Sequence, residues 1–320
     1  MTLSAAKILF INEAHPVMSE ILTAAGFVCE TDTHSSKSEI EQKLLDYQGV
    51  VLRSRISIDR DFLHAGRHLR FIAREGVGLE HIDTEYAHAC GIPVFISPEG
   101  SRDTVGEHAV GMLLNLLNHL NRADRQVRSG EWLREANRAT ELKGKTVGII
   151  GYGNMGTSFA RKVSGFEVKC LTYDKYKTDY GDEYAEEATL ARIQAEADII
   201  TLHIPYEADN HYFVDEDFLS GFAKNIYLIN TARGLVLKTA ALAAALQTGK
   251  VSGAGLDVLE YEESSFAAID FDNPPAPLRY LMQADNVILA PHIAGWSFES
   301  KRKHGEVLAR KILELYGEGK

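Results

Sequence analysis

Three segments of this sequence contain side chains that could together move a hydride on or off a small alcohol. Residues 230–234 contain Arg233, residues 255–262 contain several acids, and residues 290–296 contain His292. Oxidising a secondary alcohol needs a base for the hydroxyl proton, and histidine exchanges protons near neutral pH, so His292 is the candidate base. A carboxylate on its other ring nitrogen would fix the tautomer. Arg233 offers a planar fork that matches a substrate carboxylate.

Hydride chemistry needs a cofactor, and residues 146–156 have the spacing of a dinucleotide-binding turn. Residues 146–150 form an apolar run typical of a buried parallel strand, and Gly151, Gly153 and Gly156 follow it as G-x-G-x-x-G. The first glycine allows the turn, the second leaves room for the pyrophosphate, and the third lets the next helix pack closely. Such glycines alone are often an ordinary turn, but the flanking strand and helix favour dinucleotide binding.

The identity of the dinucleotide depends on Asp174. It ends the apolar stretch 168–173 and lies about 20 residues after the last glycine, where a carboxylate can bind the ribose hydroxyls. The same carboxylate would repel the 2′-phosphate of NADP. The predicted cofactor is therefore NAD, although Lys175 places a cation beside Asp174 and weakens the case against NADP.

The composition excludes several other classes of function. The chain has 320 residues, enough for two domains, and its formal net charge of −11 argues against a nucleic-acid partner. No apolar run reaches the roughly 18 residues needed to span a bilayer. Three cysteines without metal-binding spacing, and no signal peptide, suit a reducing cytoplasm. We predict a cytoplasmic protein with no metal site and no membrane partner.

Residues 1–100 alternate strands and helices without a glycine fingerprint, so they predict a separate α/β sheet. Two of the strands end in Arg53-Ser54-Arg55 and in Arg74-Glu75-Gly76-Val77-Gly78. Ligands of α/β sheets bind at the carboxyl ends of strands. The arginines and the glycine turn therefore indicate a small anionic substrate, and the alternative is that these arginines are solvated surface charges.

Other segments predict the connections. Residues 103–120 read as a long apolar helix leading into the second domain, and residues 121–142 as a polar arm that either clasps a second subunit or crosses the surface. The acidic, tyrosine-rich residues 176–187 predict a solvated loop, and the prolines within residues 262–277 predict irregular structure. A helix over 300–316 is expected to pack back on the amino-terminal unit.

Together these segments resemble the D-isomer-specific 2-hydroxyacid dehydrogenase family nearly from end to end, from Arg53-Ser54 to residues 292–296, His-Ile-Ala-Gly-Trp. The resemblance implies an α/β protein with two doubly wound parallel-sheet domains. A Rossmann NAD-binding domain, residues 101–295, is inserted in a flavodoxin-like substrate domain, residues 1–100 and 296–320, with a cleft between them. It also implies a homodimer built on the NAD-binding domains.

The resemblance assigns roles to matching positions. It implies that Arg233 binds substrate, that Glu262 partners the base and that His292 is the acid and base. Besides the three glycines, the matching NAD positions are Asn154, Met155, Asp174, His203, Pro205, Thr231, Ala232, Asp257 and Gly295. Val77 matches a position that contacts the substrate carboxylate. With the residues at the two strand ends, the predicted substrate positions are Arg53, Ser54, Arg55, Arg74, Gly76, Val77 and Gly78.

One departure from the family pattern affects the choice of acid. The proline that usually follows the catalytic glutamate is Glu263 here, so Glu260 and Glu263 compete with Glu262 for that role. We choose Glu262 because its spacing from Asp257 along the sequence is the spacing found in the family.

Within the family the sequence is most similar to short-type phosphoglycerate dehydrogenases, which implies 3-phosphoglycerate as substrate and a place in serine biosynthesis. Three arginines exceed what a bare hydroxy acid needs, and a phosphate would account for the excess. The alternatives are a reductase of glyoxylate, hydroxypyruvate or another 2-oxo acid, and a non-catalytic NAD-dependent corepressor.

Overall fold

The computed structural model describes residues 6–262 and 269–317. The chain forms two compact units. One comprises Met1–Ser101 and Trp296–Lys320, and the other comprises Arg102–Gly295. The boundaries predicted from the sequence were 100/101 and 295/296, and the structure has them at 101/102 and 295/296.

The first unit is built on a five-stranded parallel sheet. Its strands are β1 (Lys7–Phe10), β2 (Val28–Thr31), β3 (Gly49–Leu52), β4 (Phe71–Arg74) and β5 (Val94–Ile96), in the order β2-β1-β3-β4-β5. Its helices are α1 (Pro16–Ala24), α2 (Lys37–Lys43), α3 (Arg60–Ala65), α4 (Thr84–Ala89) and α12 (Phe298–Leu315). Apolar side chains are buried on both faces of the sheet, as in a doubly wound fold.

The second unit contains a seven-stranded sheet. Its strands are β6 (Thr146–Ile150), β7 (Lys169–Tyr173), β8 (Glu186–Glu187), β9 (Ile199–Leu202), β10 (Ile226–Asn230), β11 (Val251–Leu256) and β12 (Val287–Leu289). Its helices are α5 (Pro98–Asn118), which starts in the first unit, α6 (Leu120–Arg128), α7 (Asn154–Val163), α8 (Leu190–Glu196), α9 (Glu216–Ser220), α10 (Thr239–Thr248) and α11 (Ala276–Gln283). The order β12-β11-β10-β9-β6-β7-β8 reverses beside β6, which is the Rossmann arrangement.

The strand order explains how distant segments can meet. The strands β10, β11 and β12 are parallel neighbours, so the three segments that follow them share one edge of the sheet. In the first unit β3 and β4 are also parallel neighbours, with Leu52 opposite Arg74. In each unit, the segments that contain the candidate site residues therefore follow adjacent strands.

Several connections differ from the prediction. The long helix ends at Asn118 because His119 has a left-handed backbone (φ 54°), and the predicted arm begins with the separate helix α6. The tyrosine-rich residues 176–187 are not simply solvated, since Tyr180 donates to the carbonyl of Thr172 at 3.0 Å and the segment contains β8. The irregular stretch 262–277 lies partly outside the described residues, and α11 begins at its end.

The carboxy-terminal helix packs on the first unit, as predicted. Leu308 and Ile312 of α12 are fully buried in one cluster with Ile8 and Phe71. A serine capping box, Ser297 with Ser300, starts this helix directly after the second unit ends. Across residues 6–262 and 269–317, no helix combines the length and the apolar character needed to cross a membrane.

Candidate active site

The glycine turn after β6 has room only for glycine at two positions. Gly151 has a left-handed backbone (φ 91°), and a Cβ there would lie 2.7 Å from the carbonyl oxygen of His203. A Cβ on Gly156 would lie 2.1 Å from the carbonyl oxygen of Gly151, so the close packing of α7 requires glycine. A Cβ on Gly153 would meet no described atom within 4 Å, which leaves that side of the turn open for a ligand.

The start of α7 fits a phosphate group. Its N-cap residue is Gly153, which has no side chain to accept hydrogen bonds from the first helical amides, and Asn154 and Met155 open the helix. Helix N-termini with free amides bind anions. Among the described residues, the Thr231 hydroxyl is also buried without a hydrogen-bond partner. These features fit a bound dinucleotide.

Asp174 lies at the end of β7 and is held by the neighbouring loops. Its carboxylate accepts hydrogen bonds from the amides of Tyr152 and Tyr176, each at 3.0 Å. Its own amide donates to the hydroxyl of Tyr180 at 2.8 Å. The acid predicted to bind the ribose is therefore fixed beside the glycine turn.

The two lysines after Asp174 already have partners. The ammonium group of Lys175 forms an ion pair with Asp209. The ammonium group of Lys177 donates to the carbonyl of Tyr152 at 2.6 Å. Neither cation is held for a 2′-phosphate in this arrangement.

The predicted cofactor positions His203 and Pro205 lie in the loop that follows β9. The imidazole of His203 contacts the Thr201 hydroxyl at 3.0 Å and lies 5.5 Å from the ring of Phe159. Burial lowers the pKa of His203 to about 3. The Pro205 carbonyl accepts from Asn210 at 3.1 Å. Both residues support the loop after β9.

The loop after β10 is shaped by Asn230, the last residue of the strand. Its side-chain oxygen accepts from the amide of Ala232 at 3.0 Å, and its side-chain nitrogen donates to the carbonyl of Arg233 at 3.0 Å. Arg233 itself donates to the Ala232 carbonyl at 2.7 Å. The fully buried side chain of Asn230 therefore fixes the backbone conformation of the loop at Arg233.

The imidazole of His292 and the carboxylate of Glu262 form a direct pair. The distance from His292 Nδ1 to Glu262 Oε2 is 2.7 Å, and both side chains are largely buried. The other carboxylate oxygen, Oε1, accepts from the Leu259 amide at 2.5 Å, which holds Glu262 in place. The carboxylate favours a proton on Nδ1. Proton exchange with a substrate would then take place at the other ring nitrogen, Nε2.

Asp257, at the end of β11, holds the loop that carries His292. Its carboxylate is 1% exposed and accepts from the amides of Ile293 and Ala294, both at 2.8 Å. Its carbonyl accepts from the amide of His292, also at 2.8 Å. These bonds stabilise a left-handed backbone at His292 (φ 56°), a conformation that costs about 1 kcal/mol or more.

The structure distinguishes two of the three candidate acids. Glu260 accepts from the Tyr212 hydroxyl at 2.7 Å and from the Thr239 amide at 2.8 Å, so it anchors the start of α10. Glu262 is paired with His292. Glu263 lies outside the described residues.

The first unit contains the predicted substrate residues, but Arg55 is committed elsewhere. Its guanidinium donates to three main-chain carbonyls, those of Ile11 (2.8 Å), Ser35 (2.6 Å) and Asp32 (3.1 Å). An arginine that satisfies three carbonyls braces the loops around it and would lose those bonds if it turned to a ligand. These three bonds favour a structural role for Arg55, and its role in substrate binding stays a prediction.

The glycine turn 76–78 follows β4 and is fixed by a short chain of hydrogen bonds. The amide of Gly76 (φ 140°) donates to the hydroxyl of Ser97 at 3.2 Å, and that hydroxyl lies 2.7 Å from Nδ1 of His304. Burial lowers the pKa of His304 to about 4, so the neutral ring accepts the serine proton. Ser54 lies between Arg53 and Arg55, and Val77 lies between the two glycines.

Arg74 and Arg53 flank this turn. Arg74 donates to the Glu75 carbonyl at 3.1 Å. Arg53 lies 3.8 Å from the Glu75 carboxylate. Asn230 and Glu75 were assigned no role from the sequence. The available signal was that each is a polar residue at the end of a buried strand.

Residues 110–294 match the sequence model described as the NAD binding domain of D-isomer specific 2-hydroxyacid dehydrogenases. The chain belongs to this family. Its residues 110–294 are thus the NAD-binding domain of a D-2-hydroxyacid dehydrogenase, and NAD is the cofactor that the glycine turn accommodates.

The relatives of this dehydrogenase are named for different substrates. A hydroxypyruvate reductase from Thermotoga maritima is 34% identical over 291 residues, which cover 90% of each chain. A D-3-phosphoglycerate dehydrogenase from Archaeoglobus fulgidus is 31% identical over 310 residues, covering 94% of this chain and 56% of that protein. The crystal structure of a D-lactate dehydrogenase from Aquifex aeolicus with NAD and lactic acid has a TM-score of 0.79, 29% identity, and coverage of 98% of this chain and 96% of its own.

Proposed function

We propose that this enzyme interconverts a short, unphosphorylated 2-oxo acid, such as glyoxylate or hydroxypyruvate, with its D-2-hydroxy acid. The observation that carries the substrate choice is the environment of the arginines. Arg55 is bound to three carbonyls, and Arg53 lies beside a buried carboxylate. Two of the three arginines predicted to bind a phosphate therefore already interact with other groups of the protein.

The mechanism rests on His292, Glu262 and Arg233. When bound, NAD supplies or accepts the hydride. His292 transfers the proton to or from the substrate oxygen at Nε2, and Glu262 stabilises the charged imidazole from the Nδ1 side. Arg233 binds the substrate carboxylate through its planar fork. In the first unit, the turn at Gly76, Val77 and Gly78 is the segment proposed to bind substrate through its main-chain amides.

The proposed NAD contacts are those named from the sequence. The glycines and the start of α7 hold the pyrophosphate, Asp174 holds the ribose, and residues 231–232, Asp257 and Gly295 contact the remainder. His203 and Pro205, in the loop after β9, are proposed to line the same surface.

A 3-phosphoglycerate dehydrogenase is the second candidate. The similarity to the Archaeoglobus fulgidus protein favours it, at 31% identity against 34% for the hydroxypyruvate reductase. Arg53 directly follows β3 and Arg74 is the last residue of β4, so both lie at strand ends. The local pairing of Arg53 with Glu75 favours the unphosphorylated substrate instead.

A comparison of substrates tests this proposal. With NADH as reductant, we expect kcat/KM for hydroxypyruvate or glyoxylate to exceed that for 3-phosphohydroxypyruvate by at least about tenfold, or about 1.4 kcal/mol. Initial rates of NADH oxidation with each acid measure it. A preference for the phosphorylated acid would instead support the second candidate, and no oxidation with any 2-oxo acid would favour a corepressor.

We expect NAD to be preferred over NADP by about ten- to a hundredfold in kcat/KM, or about 1.4 to 3 kcal/mol. Asp174 would repel the 2′-phosphate, and Lys175 is paired with Asp209. The substitution Asp174→Ala should narrow the preference, whereas Glu183→Ala, which removes an exposed carboxylate from the same segment, should not. Equal use of both cofactors by the wild type would show that a lysine binds the 2′-phosphate.

The enzyme is also proposed to be a homodimer. Four apolar side chains of α6 and the segment after it are exposed: Leu120 (55%), Val127 (53%), Trp132 (77%) and Leu133 (47%). Clusters of large exposed apolar residues mark interaction sites. A second copy of the chain is the proposed partner, and sedimentation velocity measures whether it is bound in solution.

A further inference from the structure

Glu75 is a buried carboxyl group that no step of the mechanism uses. It directly follows β4 and precedes the Gly76 turn, and its amide donates to the Leu52 carbonyl at 2.8 Å. Only 3% of the residue is exposed. Glutamate is almost never this buried unless it is paired with a cation. Its surroundings should therefore contain positive charge.

Three cations lie around Glu75. Arg53 forms an ion pair with it, with Arg53 Nε 3.8 Å from Glu75 Oε2. Burial raises the pKa of Glu75, and the positive charges of Arg53, Lys301 and Arg74 oppose that rise. All four side chains belong to the first unit, and Lys301 comes from the first turn of α12. One carboxylate therefore offsets part of the positive charge beside the turn.

Arg53 is held from a second direction by an aromatic ring. Its guanidinium carbon lies 4.7 Å from the centroid of the Trp296 ring, a cation–π distance. Its backbone amide donates to the Asn12 side chain at 2.8 Å. A side chain stacked on an indole and drawn to a carboxylate has little freedom to move toward an incoming anion.

Phosphorylated and unphosphorylated substrates differ in the negative charge that they would bring to Arg53. A phosphate would bring about two negative charges to an arginine that already faces a carboxylate. Like charges placed close together away from bulk water repel strongly. A short 2-oxo acid carries one carboxylate and no second anionic group. Specificity of this kind comes from an element that rejects the wrong ligand.

We propose that Glu75 is a specificity-determining residue, which restrains Arg53 and rejects phosphorylated substrates. This inference rests on the proposed function and names the residue that sets its substrate class. The residue acts through Arg53, so it is a positioning residue rather than a catalytic one.

The test is a change in substrate preference. We expect Glu75→Gln, which keeps the shape and removes the charge, to raise the ratio of kcat/KM for 3-phosphohydroxypyruvate to that for hydroxypyruvate by at least about tenfold. Glu85→Gln, at an exposed position in the first turn of α4, is the matched control and should leave the ratio unchanged. An unchanged ratio in Glu75→Gln would overturn the inference.

A second measurement uses inorganic phosphate as a competitor of hydroxypyruvate reduction. We expect phosphate to inhibit Glu75→Gln at a concentration at least about fivefold lower than it inhibits the wild type. Equal inhibition would count against the role of Glu75. If Glu75→Gln does not fold, as judged by thermal unfolding, Glu75→Ala takes its place with the same expectations.

These results separate the two proposals. A wild type that prefers hydroxypyruvate, with an unchanged ratio in the variant, leaves the proposed function standing and removes Glu75 from it. A wild type that prefers 3-phosphohydroxypyruvate overturns the proposed function, and with it the rejection by Glu75.

Discussion

The substitution Arg233→Ala is expected to lower kcat/KM for 2-oxo acids by at least about a hundredfold. Arg233 supplies the planar fork proposed to bind the substrate carboxylate, and truncating one partner of such a charge-assisted pair costs about 2 to 5 kcal/mol. Asn230 fixes the loop around Arg233 through bonds to the backbone of Ala232 and Arg233, which the alanine variant keeps. The loss should therefore come from the missing side chain and not from a changed loop.

Steady-state kinetics with hydroxypyruvate and saturating NADH measure this effect. Arg233→Lys is the matched variant, since it keeps the charge and loses the fork, and its activity should lie between those of the wild type and Arg233→Ala. Thermal unfolding checks that each variant is folded. A folded Arg233→Ala protein with nearly wild-type kcat/KM would exclude Arg233 from substrate binding.

The substitution His292→Ala is expected to lower kcat by at least about a hundredfold, the usual scale for losing general acid–base catalysis. The histidine lies 2.7 Å from Glu262, and its backbone conformation is stabilised by Asp257. Glu262→Gln should also lower kcat, by a smaller factor, because the amide can still hold the ring but cannot stabilise its charge. Glu260→Gln is the matched control for charge, and it should affect stability more than kcat because Glu260 anchors α10.

The shared sheet edge of the segments that contain Arg233, Glu262 and His292 was predictable because it depends on local sequence and on strand order. The segments with Arg233, Glu262 and His292 follow three strands that read as buried runs, and parallel strands that are neighbours must end at one edge. The glycine turn was predictable for a similar reason. A Cβ on Gly156 would clash with the turn itself, at the carbonyl of Gly151. A Cβ on Gly151 would clash with the carbonyl of His203, which directly follows the neighbouring strand β9.

The environment of the arginines was not predictable in this way. Arg55 is bound to carbonyls of Ile11, Asp32 and Ser35, which are 20 or more positions away in the sequence. Every residue has a carbonyl, so no pattern of residue types marks these partners. Three arginines near strand ends therefore looked like one phosphate site, although one of them braces the fold.

The roles of the neighbouring acids likewise depended on three-dimensional contacts. Glu260 and Glu262 differ by two positions, and their residue types are identical. Their partners differ because one side chain meets the start of α10 and the other meets His292. The offset from Asp257 favoured Glu262, and the contacts give the physical reason.

A single-turnover experiment tests most directly whether His292 is the acid and base of this D-2-hydroxyacid dehydrogenase. His292→Ala is loaded with NADH, mixed rapidly with excess hydroxypyruvate, and followed by NADH absorbance. We expect NADH to bind with an affinity close to that of the wild type, while its oxidation slows by at least about a hundredfold. Oxidation at nearly the wild-type rate in the folded variant would contradict the account.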